Sequence, residues 1–457
     1  MLPRFEIVDR FRLVDLLAPG GIRVDRAWPS GTAPVGFRGA AGVPAPYAAV
    51  VVDLDHAELA GRLELGWTGP DGERLIGWYD GGRRLLGIDL VDSAGTRSRH
   101  RSRRFGRPDG GVGAMALTLT GTHLAVWTSH RDKWTARARI DLSGAVETRS
   151  EAFLGGLEVG YDWQPRYADP APVSRLRAGA FGQLGLRDLH VVTRATGEPV
   201  RDPNGLLLLT ATHAGPGFFD TGHTGVWSFD PDSRELAHRA DLYFRRPDRP
   251  GVFGDHATHL VRDGDDWLVA TSTWGDFDRT TVGVILARTT ADLTAGEHVL
   301  DTEVLGIPSD AVGVWDPHLA RIRGVWHVAY VAARKFFDFH PGLCRGTTLD
   351  TLAPVAEDHT RSATEGTSLV EIDGRWWVVA SDGRDNPRDR RAAYPIYDLD
   401  LTEAGALDAP YPSNIPWPTI WREGDGWLML TFDGSRYGGD LLGYGTHGDV
   451  VLMQSRP

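Results

Sequence analysis

Short apolar runs separated by turn residues extend along the whole chain, and no stretch has the spacing of a long amphipathic helix. In the first 165 residues the runs are strand-like, and Gly, Asp and Pro separate them. They are YAAVVVDLD, GRLELGWTG, ERLIGWYDG, RRLLGIDLVD, AMALTLTGTHLAVWTS and WTARARIDL. Runs of this length and spacing indicate two packed antiparallel sheets. We therefore predict an all-β protein with a β-sandwich over residues 1–165.

The sandwich pattern resembles concanavalin-like jelly rolls, which often accompany carbohydrate-active enzymes. The proline-rich stretch YDWQPRYADPAPVSR, at 161–175, marks the predicted boundary. A fivefold repeat follows over residues 175–457. Each unit has a corner residue, a short strand, a turn and a second strand that is mostly aromatic. The corner residues are Asp188, Asp255, Asp316, Glu365 and Trp417.

The repeat predicts a five-bladed β-propeller over residues 175–457. The corners are about 50 to 70 residues apart, which suits a four-stranded blade with variable loops. A single unit cannot bury both of its apolar faces, so five units are expected to stack radially. The first strand of each blade then lines the central channel. Corner residues far apart in sequence are expected to meet at one mouth of that channel.

Composition narrows the possible partners. The chain has 457 residues, 56 glycines, 28 prolines and 16 tryptophans, which fits many turns and strands. A net charge of −12 disfavours a nucleic-acid partner, because phosphate binding depends on Lys and Arg. No apolar run is long enough for a membrane helix, and no signal peptide is recognisable at the start, so we expect a cytoplasmic protein unless an export signal was trimmed.

Four of the five corners are acidic: Asp188, Asp255, Asp316 and Glu365. Carboxylates gathered around one funnel repel each other, and this repulsion raises the pKa of at least one of them. Separated pKa values are what general acid and general base chemistry requires, and glycoside hydrolysis uses one protonated and one ionised carboxyl. Any one of these acids could simply cap a turn. Acids at matching places in successive units favour the chemical interpretation.

Three motifs resemble those of five-bladed propeller glycosidases, closest to glycoside hydrolase family 43 and its clan. They are RDLH with Asp188, WDPH with Asp316 and TEGTS with Glu365. The resemblance implies that Glu365 protonates the leaving oxygen, Asp188 activates water, and Asp316 keeps Glu365 protonated and positions the sugar. It implies an inverting hydrolase of furanosides or pentosides, such as arabinose or xylose, acting on an oligosaccharide or polysaccharide.

The first motif departs from the family pattern, because Leu189 replaces the usual Pro. A later turn, RDPNG, resembles the nucleophile motif of fructan-cleaving propellers and makes Asp202 an alternative to Asp188. A carbohydrate phosphorylase or lyase on the same fold remains open, as does a carbohydrate-binding propeller without catalysis.

Further side chains near the proposed mouth are candidates for sugar binding. These are His213, His223, Asp255, His256, Trp274, Trp315, His318 and Trp417. No metal-binding motif of catalytic type is present, so no cofactor is expected to be required. The resemblance implies a possible structural calcium near the axis, with His447 as the candidate residue.

Overall fold

The computed structural model describes residues 2–55, 59–166, 170–278, 281–434 and 448–456. The first thirteen strands are β1 (Phe5–Arg12), β2 (Asp15–Ala27), β3 (Gly36–Ala40), β4 (Tyr47–Leu54), β5 (Gly61–Thr68), β6 (Arg74–Asp80), β7 (Leu85–Val91), β8 (Arg97–His100), β9 (Ala114–Thr120), β10 (His123–His130), β11 (Lys133–Asp141), β12 (Glu158–Pro165) and β13 (Val173–Gln183). A short helix, α1 (Glu151–Gly155), precedes β12.

The remaining strands are β14 (Leu186–Val191), β15 (Thr193–Arg194), β16 (Leu207–His213), β17 (His223–Asp230), β18 (Glu235–Arg245), β19 (His256–Asp263), β20 (Asp266–Ser272), β21 (Val284–Thr289), β22 (Gly296–Asp301), β23 (Glu303–Val304), β24 (Gly313–Ile322), β25 (Val325–Lys335), β26 (Asp338–Gly346), β27 (Ala353–Glu357), β28 (Thr364–Ile372), β29 (Arg375–Asp382), β30 (Pro395–Tyr397), β31 (Glu403–Ala406), β32 (Thr419–Glu423), β33 (Gly426–Asp433) and β34 (Asp449–Ser455). One turn of 3-10 helix spans Phe219–Thr221. The all-β prediction is confirmed.

Two six-stranded sheets form the sandwich. Their strand orders are β11-β10-β9-β4-β13-β2 and β3-β12-β5-β6-β7-β8. Alternate residues of each strand point between the sheets, and central strands such as β4 (YAAVVVDL) and β9 (AMALTLT) are buried along most of their length. The fully buried rings of Trp67, Trp127 and Tyr161 lie in the shared core.

Five smaller sheets form a propeller-like ring. Their orders are β14-β16-β17-β18-β22, β15-β19-β20-β21-β23, β24-β25-β26-β27, β28-β29-β30-β31 and β32-β33-β34-β1. The inner strands β14, β19, β24, β28 and β32 contact one another in a closed order. Hydrogen bonds connect successive blades near the axis. The backbone N–H of Leu319 donates to Nδ1 of His259 (3.0 Å), and that of Leu369 donates to Nδ1 of His318 (3.3 Å).

Strand pairing departs from the predicted division at both ends. Strand β1 pairs with β34 in the fifth blade, so residues 5–12 belong to a propeller sheet. Strand β13, beyond the proline-rich stretch, pairs with both β2 and β4 inside the sandwich. Local patterning could not reveal either fact, because an alternating strand such as FEIVDRFR fits an edge of any sheet. Among the described residues no helix is long and apolar enough to span a membrane.

A β-bulge with left-handed backbone interrupts four of the inner strands. The bulged residues with positive φ are Asp188 (49°), Ala257 (58°), Asp316 (53°) and Gly366 (70°). Asp and Gly tolerate this conformation better than most residues. The predicted equivalence of the corners is therefore wrong in two blades. Ala257, not Asp255, occupies the position in the second blade, and Glu365 lies one residue before it in the fourth.

Candidate active site

A cavity of about 180 Å³ opens where the inner strands of the ring begin. Its walls come from the bulged strands and from the loops that follow the second strands of the blades. The lining residues are Arg187, Asp188, Phe219, His256, Trp274, Phe277, Trp315, Asp316, Phe336, Phe337, Phe339, Ala363, Glu365, Asp385, Asn414, Ile415 and Trp417. The carboxyl groups of Asp188, Asp316 and Glu365, from the inner strands of three blades, are thus brought to one small space, and Asp385 adds a fourth from a loop.

The bulges explain how these carboxyls reach the cavity. A bulge re-aims the side chain that it carries, and it occurs often beside active sites. Asp188 and Asp316 lie on the bulges and are 4% and 2% exposed. The backbone N–H of Asp316 donates to the hydroxyl of Ser272 in the neighbouring blade (2.8 Å), which fixes the turn. The Oδ2 atom of Asp316 has no hydrogen-bond partner among the described residues.

The surroundings of the Asp316 carboxyl favour its neutral form. Burial raises its pKa well above the usual value, and the negative charges of Glu365 and Asp188 raise it further. The backbone N–H of Gly366 opposes this by donating to the carboxyl. A protonated carboxyl can both donate and accept a hydrogen bond, so Asp316 could donate one to a substrate hydroxyl or accept one from it.

Glu365 can carry a proton near neutral pH. Burial raises its pKa to about 7, and the charge of Asp188 contributes to the increase. The positive charge of Arg187 and the indole N–H groups of Trp315 and Trp417 act in the opposite direction. Neither indole N–H completes a hydrogen bond of ordinary geometry among the described residues. A carboxyl with a pKa near the working pH is suited to act as a general acid.

Glycine after Glu365 is required by the packing of this site. Gly366 has a φ of 70°, and a Cβ added there would lie 2.4 Å from two ring atoms of Trp417. The absence of a side chain therefore lets the Trp417 indole pack directly on the backbone beside Glu365. The Thr-Glu-Gly motif is explained by this contact and by the backbone conformation.

Asp188 has a different environment. The Nε–H group of Arg187 donates to its Oδ1 atom (3.2 Å), so a guanidinium charge stands directly beside the carboxylate. Glu365 and Asp188 therefore have different surroundings: the pKa of Glu365 is raised to about 7, and the carboxyl of Asp188 contacts the permanent charge of Arg187. Such a division of environments is what assigns acid and base roles to paired carboxyls.

Aromatic rings make up much of the cavity wall. The ring of Trp274 lies 4.6 Å from that of Phe219 and 5.2 Å from that of Trp315 (centroid to centroid). Trp315 also packs against Phe336 and Phe339. Flat apolar faces of this kind can stack on the C–H faces of sugars while the carboxyls contact hydroxyls.

The sandwich supports two of the wall-forming loops. A guanidinium N–H of Arg149 donates to the carbonyl of Gly275, next to Trp274 (2.8 Å). A guanidinium N–H of Arg139 donates to the carbonyl of Pro216 (2.8 Å), in the loop that leads to Phe219. The position of these aromatic walls therefore depends on both parts of the chain.

His256 lines the cavity as a neutral ring. Its Nδ1 atom lies 3.0 Å from the carbonyl oxygen of Gly254, which can only accept, so Nδ1 carries the ring hydrogen. Burial lowers the pKa of this imidazole to about 3. Of the predicted sugar-binding residues, the structure places His256, Trp274, Trp315 and Trp417 in the cavity.

Four of the predicted sugar-binding residues do not line this cavity, so their prediction as members of this site is wrong. Asp255 is buried in an ion pair with Arg246 and accepts the backbone N–H of Gly275 (3.0 Å). This carboxylate therefore stabilises the connection between β18 and β19, which carries both Arg246 and Asp255.

The imidazoles of His213 and His223 are also buried outside the cavity, where both face Asp241. His318 uses its Nδ1 atom to accept the N–H of Leu369, and it lines a separate cavity at the other ends of the inner strands. The predicted metal residue His447 lies outside the described residues.

The alternative residue Asp202 caps a turn. Its Oδ1 atom accepts the backbone N–H groups of Asn204 (2.9 Å) and Leu206 (3.0 Å), and it does not line the cavity. The DPNG stretch is therefore the turn into β16. Of the two acids, only Asp188 reaches the other carboxyls.

Sequence reasoning missed several members of the site. Arg187 is the residue before Asp188, and its position in an Arg-Asp pair was the available signal. Phe336, Phe337 and Phe339 come from the stretch RKFFDF, where three aromatic residues stand among charged ones. Phe337 is 55% exposed, and exposed aromatic residues in a loop often mark a binding surface. Nothing local distinguishes Asp385 or Asn414.

Two groups of side chains in the described part of the chain could hold a metal ion. One is His213, His238 and Asp241, and the other is His340, Glu357 and His359. None of these residues lines the carboxyl cavity. The calcium near the axis stays a prediction.

Comparison with known proteins gives similarity at the level of fold. No family model and no curated protein sequence matches the chain. Among solved structures, Bacillus subtilis levansucrase is 10% identical, covers 60% of this chain and 84% of its own, and aligns with a TM-score of 0.44. A GH43_1 enzyme from Xanthomonas citri in complex with xylose is 13% identical, with 59% and 86% covered and a TM-score of 0.41. A GH32 β-fructofuranosidase from Bombyx mori is 13% identical, with 59% and 60% covered and the same TM-score.

Proposed function

We propose that the chain is a glycoside hydrolase that cleaves a furanoside or pentoside at the carboxyl cavity. One observation carries the proposal. Carboxyls from three inner strands share one small aromatic-walled space, where burial raises the pKa of Glu365 to about 7 and a guanidinium stands beside Asp188. Glycosidic cleavage requires this pairing of a protonated and an ionised carboxyl.

Glu365 is the general acid and Asp188 the general base. The C–O bond to the leaving group breaks as Glu365 transfers its proton to the leaving oxygen. Asp188 accepts a proton from a water molecule, whose oxygen bonds to the anomeric carbon from the opposite face. The product is an alcohol and a sugar of inverted configuration. Water then returns the proton from Asp188 to Glu365. In an inverting enzyme the two carboxyls stand about 6.5–9.5 Å apart with that water between them.

Asp316 is proposed to position the sugar and to keep a proton on Glu365. Burial and two neighbouring charges favour its neutral form in the free site. When substrate hydroxyls stabilise the ionised form, its charge disfavours ionisation of Glu365.

The small volume of the cavity, about 180 Å³, suits one sugar ring and favours action on a terminal residue. Stacking on the Trp274 and Trp315 walls would orient that ring. The leaving part of an oligosaccharide or polysaccharide would extend past the exposed Phe337.

The test is hydrolysis of a panel of aryl furanosides and pyranosides, with the anomeric configuration of the first product followed by NMR. Glu365→Gln and Asp188→Asn should each lower the rate by about 10²–10⁴-fold, the contribution of a positioned acid or base. Glu371→Gln, which changes an exposed residue on the same strand, is the matched control.

The assignment of roles is wrong if a substrate is cleaved and both cavity variants keep the full rate. Cleavage that requires inorganic phosphate would identify a phosphorylase. Saturable sugar binding without cleavage of any substrate would identify a binding module.

A further inference from the structure

Two histidines and a glutamate converge on the outer part of the third blade, away from the carboxyl cavity. His340 lies on β26, Glu357 ends β27, and His359 follows two residues later. The Oε2 atom of Glu357 lies 3.1 Å from Nε2 of His340 and 3.7 Å from Nε2 of His359. The two imidazole rings are 4.5 Å apart (centroid to centroid). Three potential ligand atoms therefore face one point.

The distances from Oε2 of Glu357 to the two imidazole nitrogens are close to those between neighbouring ligand atoms of a tetrahedral metal site. With bonds of about 2.0–2.1 Å to nitrogen and oxygen, neighbouring ligand atoms of zinc stand about 3.3 Å apart. We propose that His340, Glu357 and His359 bind a divalent transition-metal ion of the zinc type, with water as the fourth ligand. Calcium would need six to eight oxygen ligands, and two of the three groups here offer nitrogen.

The surroundings of Glu357 orient its carboxylate toward the histidines. The hydroxyls of Ser309 (2.6 Å) and Tyr330 (3.1 Å) both donate to the Oε1 atom. Oε2 is thereby left to face the two imidazoles. Partners that hold a ligating carboxylate in this way are typical of metal sites.

The two histidines differ in burial, which gives the ion a fixed ligand and an open side. His340 is 1% exposed, and its Nδ1 atom has no hydrogen-bond partner among the described residues. In the metal-free chain the Nε2–H group of His340 donates to Oε2 of Glu357 (3.1 Å), and this hydrogen can move to Nδ1 when Nε2 binds the ion. The side chain of His359 is 64% exposed, so solvent reaches the site from that side.

The other histidine group is less suitable, although it also contains an aspartate. The indole N–H of Trp227 donates to Nε2 of His213 (2.8 Å), which places the ring hydrogen on Nδ1. Nδ1 is the atom that faces Asp241, at 3.5 Å. For Nδ1 to bind a metal, its hydrogen would have to move to Nε2, which would leave the indole N–H of Trp227 without its acceptor. This group therefore serves as an internal comparison.

An ion at this site would stabilise the segment that connects β27 to β28, the strand that carries Glu365. Residues 358–363 connect the end of β27 to β28, which carries Glu365. Within that segment, buried Arg361 pairs with Asp358 (2.7 Å) and Asp382 (3.2 Å). Binding of a metal to the folded chain alone would raise its unfolding temperature by mass action.

The test uses the full chain, freed of metal with EDTA and then dialysed. Cobalt(II) is titrated in as a spectroscopic probe, and visible absorption reports tetrahedral N/O coordination; zinc affinity and stoichiometry follow from calorimetry. One ion per chain should bind, zinc should displace cobalt, and zinc should raise the unfolding temperature. His359→Ala, at an exposed position that leaves folding intact, should weaken binding at least tenfold. Glu357→Gln should do the same.

Two matched variants control for other histidines. His130→Ala removes an exposed imidazole from the sandwich and should leave binding unchanged. His238→Ala alters the comparison group and should also leave it unchanged. The proposal is overturned if the chain shows no saturable binding, if His359→Ala binds zinc as the wild type does, or if only His238→Ala loses the ion.

Discussion

Replacing Glu365 with Gln should stabilise the folded chain at alkaline pH while it removes the proposed acid. Burial raises the pKa of this carboxyl from 4.5 to about 7 in the folded state. Below about pH 4.5 the group is neutral in both the folded and the unfolded chain, so it does not affect folding. Between about pH 4.5 and pH 7 the unfolded chain releases the proton and the folded chain keeps it. Stability is therefore lost as pH rises through this window.

A shift of that size corresponds to at most about 3 kcal/mol, because each pKa unit is worth about 1.4 kcal/mol. Urea unfolding of Glu365→Gln and wild type should differ by less than about 1 kcal/mol at pH 5 and by up to about 3 kcal/mol at pH 8. The variant should be the more stable protein. Glu371→Gln, on the exposed face of the same strand, should show no such pH dependence. Equal stability at pH 8, or a difference that does not change with pH, would refute this account of the cavity.

Three further outcomes are expected. Gly366→Ala should lower the free energy of unfolding by more than about 1 kcal/mol, because a Cβ there would both strain a left-handed backbone and clash with Trp417. Gly374 has a similar φ and no atom within 4 Å of the added Cβ, so Gly374→Ala measures the cost of the backbone strain alone. Arg361→Met should cost about 3–5 kcal/mol in urea unfolding, since it leaves buried carboxylates without their cation. Arg187→Met should move the alkaline limb of the pH–rate profile to higher pH, because the guanidinium lowers the pKa of the proposed acid, Glu365. If the limb does not move, the charge of Arg187 does not act on that acid.

The sequence contained enough to predict the all-β class and the meeting of distant acids, because both follow from local patterning. Asp188 and Asp316 stand at left-handed bulges that Asp tolerates, so their positions were readable from the repeat. In the second blade the predicted corner residue was wrong, because the bulge is occupied by Ala257, and an alanine does not indicate a left-handed backbone. Asp255, two residues earlier, pairs with Arg246 at the other end of the same connection between β18 and β19. The conformation of that connection brings the two charges together, and the repeat pattern does not encode it.

The pairing of β1 with β34 has a consequence for biosynthesis. During translation β1 is made before the sandwich, and its partner is made after all the other blades. The fifth sheet therefore stays incomplete until the last strand is synthesised. Until then the apolar side chains that pack around Phe5 are exposed, so they can pair wrongly or bind chaperones. Loop closure over so long a span is slow, so completion of the ring should be a late kinetic step. A fragment that begins after the sandwich would lack this strand, and it should aggregate through the unpaired edge of β34.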